Sequence, residues 1–123
     1  MANNNLIAGF AYITIDGKSY AIAGEGNYRV STNKRETLIG QDGVHGYSET
    51  PTAGMISWQG RDSGALSITD LNDAVDVTVQ LELANGKNVI ARNAWRAGDP
   101  VEVSSENATF NVVFESRDVK EVM

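Results

Sequence analysis

The stretch that decides the fold is Val75 to Ala97, VDVTVQLELANGKNVIARNAWRA. Val75, Val77, Val79, Leu81 and Leu83 alternate with Asp76, Thr78, Gln80 and Glu82, the period-two pattern of a strand with one face buried and one wet. Asn85-Gly86 tolerates positive φ and closes a hairpin, so the chain returns through Lys87 to Ala97. A two-residue Asn-Gly loop would set Glu82 against Val89 and Gln80 against Ala91, mixing polar and apolar side chains on each face. A three-residue loop, Ala84 to Gly86 with Gly86 left-handed, pairs Leu81 with Val89, Val79 with Ala91 and Val75 with Trp95. The second register is expected, because a slip of one residue moves a whole hydrophobic set to the wrong face. Asn93 then stands opposite Val77, a blemish expected to mark where the buried face ends.

Outward from this hairpin the chain reads as further short strands. Phe10 to Ile15 and Ser19 to Ala23 flank Asp16-Gly17; a three-residue loop, Ile15 to Gly17, would pair Tyr12 with Tyr20 and Phe10 with Ile22. Tyr28 to Ile39 reads as one longer, more polar strand. Residues 40 to 54, GQDGVHGYSETPTAG, carry four glycines and predict a long loop, a feature that in a compact domain is usually functional or disordered. Met55 to Asp62 resumes as a strand with Ile56 and Trp58 on one face. Ser67 caps a short helix, Ile68 to Ala74, with Asp70 in its first turn. Gly98-Asp99-Pro100 turns into a strand at Val101 to Ser104, and Ala108 to Glu115 puts Phe110, Val112 and Phe114 on one face. Residues 1 to 8 read as a flexible arm and 116 to 123 as a charged, extended tail.

These signals amount to seven or eight strands and one helix with no βαβ rhythm. They predict a single mainly β domain over residues 1 to 123, a small antiparallel β-barrel or sandwich with the helix covering one opening. A chain of 123 residues can bury a core without staples, and it contains no cysteine, so neither a disulfide framework nor a thiolate site is available. No stretch reaches the roughly 18 apolar residues of a membrane span, and the amino terminus lacks a basic, secretory-type start. A soluble product made inside the cell is expected. Sixteen acidic against ten basic residues give a surface that repels phosphate backbones, which disfavours nucleic-acid binding.

Catalytic and metal-binding constellations are not found. The single histidine, His45, lies in the glycine-rich stretch, where a solvated or interface role is the expectation. Asp62-Ser63-Gly64 reads as a strand-ending turn, and Asp70, Asp73 and Asp76 lack the glycine turn and terminal glutamate of a calcium loop. Trp58 and Trp95 sit in strand patterns and are expected in or beside the core. No enzyme activity and no cofactor are expected.

Two segments go beyond generic β sequence. Lys34 to Pro51, KRETLIGQDGVHGYSETP, and the central hairpin, LELANGK followed by RNAW at Arg92 to Trp95, resemble the two signatures of the tail tube proteins of Mu-like contractile-tailed bacteriophages, with similarity from about Gly9 to Glu115. The resemblance implies a tube-type β fold shared with type VI secretion tubes. It also implies a structural protein of the virion tail, assembled in the host cytoplasm as hexameric rings stacked into the inner tube. Its implied partners are further copies of itself, a tail sheath protein, a tape-measure protein, a baseplate and a tail terminator. DNA would cross the lumen without specific binding and no membrane is involved. An acidic conduit suits that passage. Within this reading, Gln41, Asp42, Val44, His45, Tyr47 and Pro51 are the candidates for contacts between subunits or rings, with the amino-terminal arm beside them. Asp76, Glu82 and Glu102 are candidates for the lumen surface. The alternatives are a type VI secretion or phage-derived bacteriocin tube subunit, and a monomeric β-sandwich binding module that would expose Trp58 or Trp95.

Overall fold

The computed structural model describes residues 9–64 and 66–122, and the arm at residues 1 to 8 lies outside them. Among the described residues are ten strands and one helix: β1 (Tyr12–Ile15), β2 (Lys18–Tyr20), β3 (Ile22–Arg29), β4 (Thr32–Gly40), β5 (Gly43–Thr52), β6 (Gly54–Arg61), α1 (Ile68–Asn72), β7 (Val77–Glu82), β8 (Asn88–Ala97), β9 (Thr109–Ser116) and β10 (Asp118–Val122). Every pairing is antiparallel. Strands β2-β1-β7-β8-β9-β6-β3 run in that order, β10 adds to β8, and β4-β5 stand as a separate two-stranded sheet.

The central hairpin sets this arrangement. Leu81 pairs with Val89 and Val79 with Ala91, the register that the three-residue loop demands, and Gly86 takes φ 89°. Leu83 N–H donates to the Lys87 carbonyl at 2.9 Å, and Lys87 N–H donates to Asn85 Oδ1 at 3.1 Å, closing the loop. Beyond Val79 the register shifts and Val77 faces Ala94. Asn93, at φ 51°, is the extra residue of a bulge, a role asparagine accepts more readily than most residues. Val75 therefore does not pair with Trp95; it precedes the strand and is exposed. The bulge bends β8, so that its first half joins β7 and β10 while its second half joins β9.

The core lies between the two groups of strands that β8 links. Ile13, Ile56, Trp58, Val79, Leu81, Val89, Phe110, Val112, Phe114 and Val119 are all buried in it, and the Trp58 and Phe114 rings stack with centroids 5.7 Å apart. Helix α1 contributes Leu71 to the same cluster. Its amino terminus is capped as expected, with Asp70 N–H donating to Ser67 Oγ at 3.2 Å. Its far end is tied to β8 by Arg96 Nε, which donates to the Asn72 carbonyl at 3.0 Å.

Several expected elements differ. The first hairpin turns on two residues, Asp16 and Gly17 at φ 50° and 83°, pairing Ile13 with Tyr20 and Ile15 with Lys18. The Asp16 carboxylate accepts the Thr78 N–H at 2.8 Å, and this contact with β7 fixes the tighter turn. Gly24 and Gly26 lie within β3, while the expected strand Tyr28 to Ile39 is divided at Val30-Ser31 into β3 and β4. Val101 to Ser104 forms only a single bridge, Val103 with Phe110. Two corrections bear on function. Residues 40 to 54 are not a loop: most of them form β5, paired with β4 from Thr32–Thr52 to Gly40–Gly43. The expected charged, extended tail is instead a paired strand over Asp118–Val122: β10 pairs with β8 through Val119–Ala91, and Val119 is buried.

Candidate functional site

The β4–β5 hairpin is the part of the molecule without a core. None of the buried apolar residues falls in it, and both strands are exposed along almost their whole length. One face carries Asn33, Arg35, Thr37 and Ile39 from β4, opposite Pro51, Glu49, Tyr47 and Val44 from β5. The half near the base is polar. Asn33 Nδ2 donates to Glu49 Oε2 at 2.8 Å, Arg35 lies 3.7 Å from the same carboxylate, and its guanidinium covers the Tyr47 ring at 5.5 Å. The half near the tip is apolar, with Ile39 73% and Val44 72% exposed and paired with one another.

The tip is shaped by a second bulge. Leu38 pairs with Gly46 but Ile39 with Val44, which leaves His45 as the additional residue, and Gly46 at φ 138° accommodates the irregularity. The imidazole folds back over the turn, where any Cβ at Gly40 would collide with it. Its Nε2 lies 2.6 Å from Asp42 Oδ1. This hydrogen bond holds the Asp42 carboxyl below the usual carboxylate range. The tip therefore presents a fixed anion flanked by two bare aliphatic side chains.

Of the six expected contact residues, Gln41 and Asp42 form the turn, Val44 and Tyr47 share the tip-ward face, Pro51 lies at the base of the same face, and His45 braces the turn. The three acidic residues are not gathered into one site. Asp76 precedes β7 and accepts the Asn93 amide at 2.7 Å, Glu82 ends β7, and Glu102 lies between β8 and β9. All three are exposed. Trp58 is buried against Phe114 and is not available to a ligand, while Trp95 is half-buried.

Two further features escaped the sequence reading. A groove of about 490 Å³ lies at the hairpin base, bounded by Asn33, Pro51, Ala53, Trp95 and Arg117. Strands β4, β5 and β8, the β5–β6 junction and the β9–β10 turn bring these residues together, and no local pattern links them. The second is Glu121 Oε2, which accepts from Lys87 Nζ at 2.8 Å and from Tyr28 OH at 2.7 Å, joining β3, β10 and the start of β8.

Comparison with known proteins places this arrangement. The family model described as "Phage tail tube protein" matches residues 4–121. The Mu-like prophage FluMu tail tube protein of Haemophilus influenzae is 28% identical over 87 residues, which is 71% of this chain and 73% of that protein. Among solved structures, Hcp1 from Flavobacterium johnsoniae is similar with a TM-score of 0.62 at 14% identity, over 90% of this chain and 93% of the other. The sheath/tube terminator of an extracellular contractile injection system, PVC, in its extended state also gives a TM-score of 0.62, at 11% identity over 92% and 93% of the two chains. At such identities these two likenesses concern the fold.

Proposed function

The chain belongs to the phage tail tube protein family, and from that premise we propose that it polymerises as stacked hexameric rings into the inner tube of a contractile tail, the conduit for DNA. The observation that carries this reading is the β4–β5 hairpin, exposed on both faces and, among the described residues, paired with no other strand. A two-stranded hairpin alone in water is marginally stable, and its unpaired edges invite further pairing. Contacts with neighbouring copies supply what the monomer lacks. The Gln41–Asp42 turn with Val44, His45 and Tyr47 makes the distal contact, and Pro51 belongs to the proximal one. The amino-terminal arm adds contacts between rings.

Asp76, Glu82 and Glu102 supply lumen-facing negative charge, against which a phosphate backbone slides without binding. The chain's formal charge of −6 suits that role. The protein acts without catalysis, inside a sheath, around a tape-measure protein, between a baseplate and a terminator, and reaches the virion tail after assembly in the host cytoplasm.

The test is negative-stain electron microscopy of the concentrated protein at moderate salt, which screens its self-repulsion, with and without a nucleating baseplate. Hollow tubes of uniform width are expected. A variant in which an Asn-Gly turn replaces residues 35 to 49, keeping the Lys34–Thr50 pair, should remain a folded monomer that forms none. Tubes from that variant would sink the hairpin's role, and monomers from the wild-type chain under every condition would sink the tube reading itself.

A further inference from the structure

We infer that the hairpin tip of one copy seats in the groove at the hairpin base of the next, so that each copy is both donor and acceptor in a directional chain. This rests on the tube reading and adds to it the acceptor site and the residue pair that selects it. The groove is built for a mixed guest. Trp95 supplies a half-buried aromatic wall, Pro51 and Ala53 supply apolar surface, and Arg117 stands at the rim. Among the described residues Arg117, like Lys18, Lys34, Arg61, Arg92 and Arg96, makes no ion pair, and of these cations it is the one that lines the groove, whose other lining side chains are all uncharged. In a chain with an acidic excess, a cation left over beside an aromatic wall is an anchor awaiting an anion.

The tip matches it in chemistry and in reach. Ile39 and Val44 form an exposed aliphatic pair, and Asp42 places its carboxylate at the turn, with its side chain 84% exposed. The His45 hydrogen bond keeps that carboxylate in one orientation, so less freedom is lost when it meets a guanidinium. From base to tip the nine residues of β4 span about 30 Å at ~3.3 Å per residue. A domain of this length has a radius of gyration of about 14 Å, so the hairpin is long enough to cross onto a neighbour. The tip and the groove are different patches of one surface, which makes the contact heterologous: repeated, it closes a ring or extends a filament. Opposite charges at the two ends also disfavour tip-to-tip and groove-to-groove pairing.

Charge reversal in the full-length protein tests this. Asp42→Arg and Arg117→Glu should each lower tube yield by about tenfold or more, as read by sedimentation and electron microscopy, while circular dichroism and the melting temperature of the monomer stay unchanged. The double reversal should restore the yield to within about threefold of wild type. Asp42→Asn, which keeps an acceptor for His45 and removes the charge, should reproduce the defect. Trp95 fluorescence should shift on assembly of the wild-type chain, and the shift should be absent in Trp95→Phe. Tubes formed normally by both single reversals, or a double variant no better than the singles, would overturn the docking pair while leaving the tube reading intact. A wild-type chain that never polymerises would remove both.

Discussion

Ser31 and Val119 hold one another through two hydrogen bonds: Val119 N–H donates to Ser31 Oγ at 2.9 Å, and Ser31 N–H donates to the Val119 carbonyl at 3.2 Å. Ser31 sits where β3 gives way to the exposed hairpin, and Val119 lies in β10 with its side chain fully buried. The contact therefore fixes the hairpin's root to the body. Gly54 packs against the same pair, and a Cβ there would collide with the Val119 side chain and come within 2.7 Å of Ser31 Oγ. Ser31→Ala should cost about 1–2 kcal/mol, because a part-buried N–H loses its acceptor. Gly54→Ala should cost more, since a fully buried side chain must shift. Thermal unfolding of the monomer checks both; a Gly54→Ala variant as stable as wild type would contradict this packing.

Truncation after Ser116 separates a strand from a tail. Deleting residues 117 to 123 removes five ladder pairs with β8 and the buried Val119 side chain, and it leaves the Ser31 groups unpartnered. A loss of about 3 kcal/mol or more is expected from the side chain and ladder together. The truncated chain should accumulate as insoluble material or melt far below the full-length protein. A dispensable tail would leave the melting temperature unchanged.

The parts of the fold that were legible in sequence are those whose signal is local and one-sided. Val77 to Leu83 alternates because one face meets the core, and Asn85-Gly86 carries its own turn chemistry, so both strands and the register near the loop could be read. The bulge at Asn93 could not, since it depends on β8 having to serve β7 and β9 at once. Strand β5 looks like a loop in sequence because a hairpin wet on both faces shows no alternation, and glycines at 40, 43 and 46 look like punctuation when they serve a turn and a bulge. The last strand leaves little sequence signal for a similar reason: β10 buries only Val119 among charged neighbours. Gln41 to Pro51 lie together on the β4–β5 hairpin because they are contiguous in sequence, but Trp95 and Arg117 join the hairpin base only through the folded topology.

Shortening the hairpin should be nearly neutral for stability. The buried cluster draws on residues 13 to 15, 56 to 58, 71, 79 to 94 and 110 to 119, and none comes from β4 or β5. The ion pair between Arg35 and Glu49 is exposed, and such pairs contribute about 0–1 kcal/mol. Replacing residues 35 to 49 by an Asn-Gly turn should therefore change unfolding free energy by less than about 1 kcal/mol, measured in urea by the monomer's circular dichroism. A loss of several kcal/mol would mean that the hairpin supports the body.

The Glu121 cluster predicts how stability depends on pH. The hydrogen bond from Lys87, followed by that from Tyr28, holds the Glu121 carboxyl below its ordinary 4.5. A group depressed on folding contributes stability that is present above its unfolded pKa and is lost as pH falls through the folded value. On the alkaline side the signs reverse. The Glu121 hydrogen bond raises Lys87 above 10.5, and it is also the largest cause raising Tyr28 above 10.0. Their contribution is present below those values and disappears as pH rises past them. The melting-temperature gap between wild type and Glu121→Gln should accordingly be flat from about pH 6 to 9, shrink below about pH 4 and shrink again above about pH 10.5. Added salt should narrow the plateau gap, because the cluster is partly exposed. A gap of constant size from pH 3 upward would show that Glu121 acts through packing alone, without its charge.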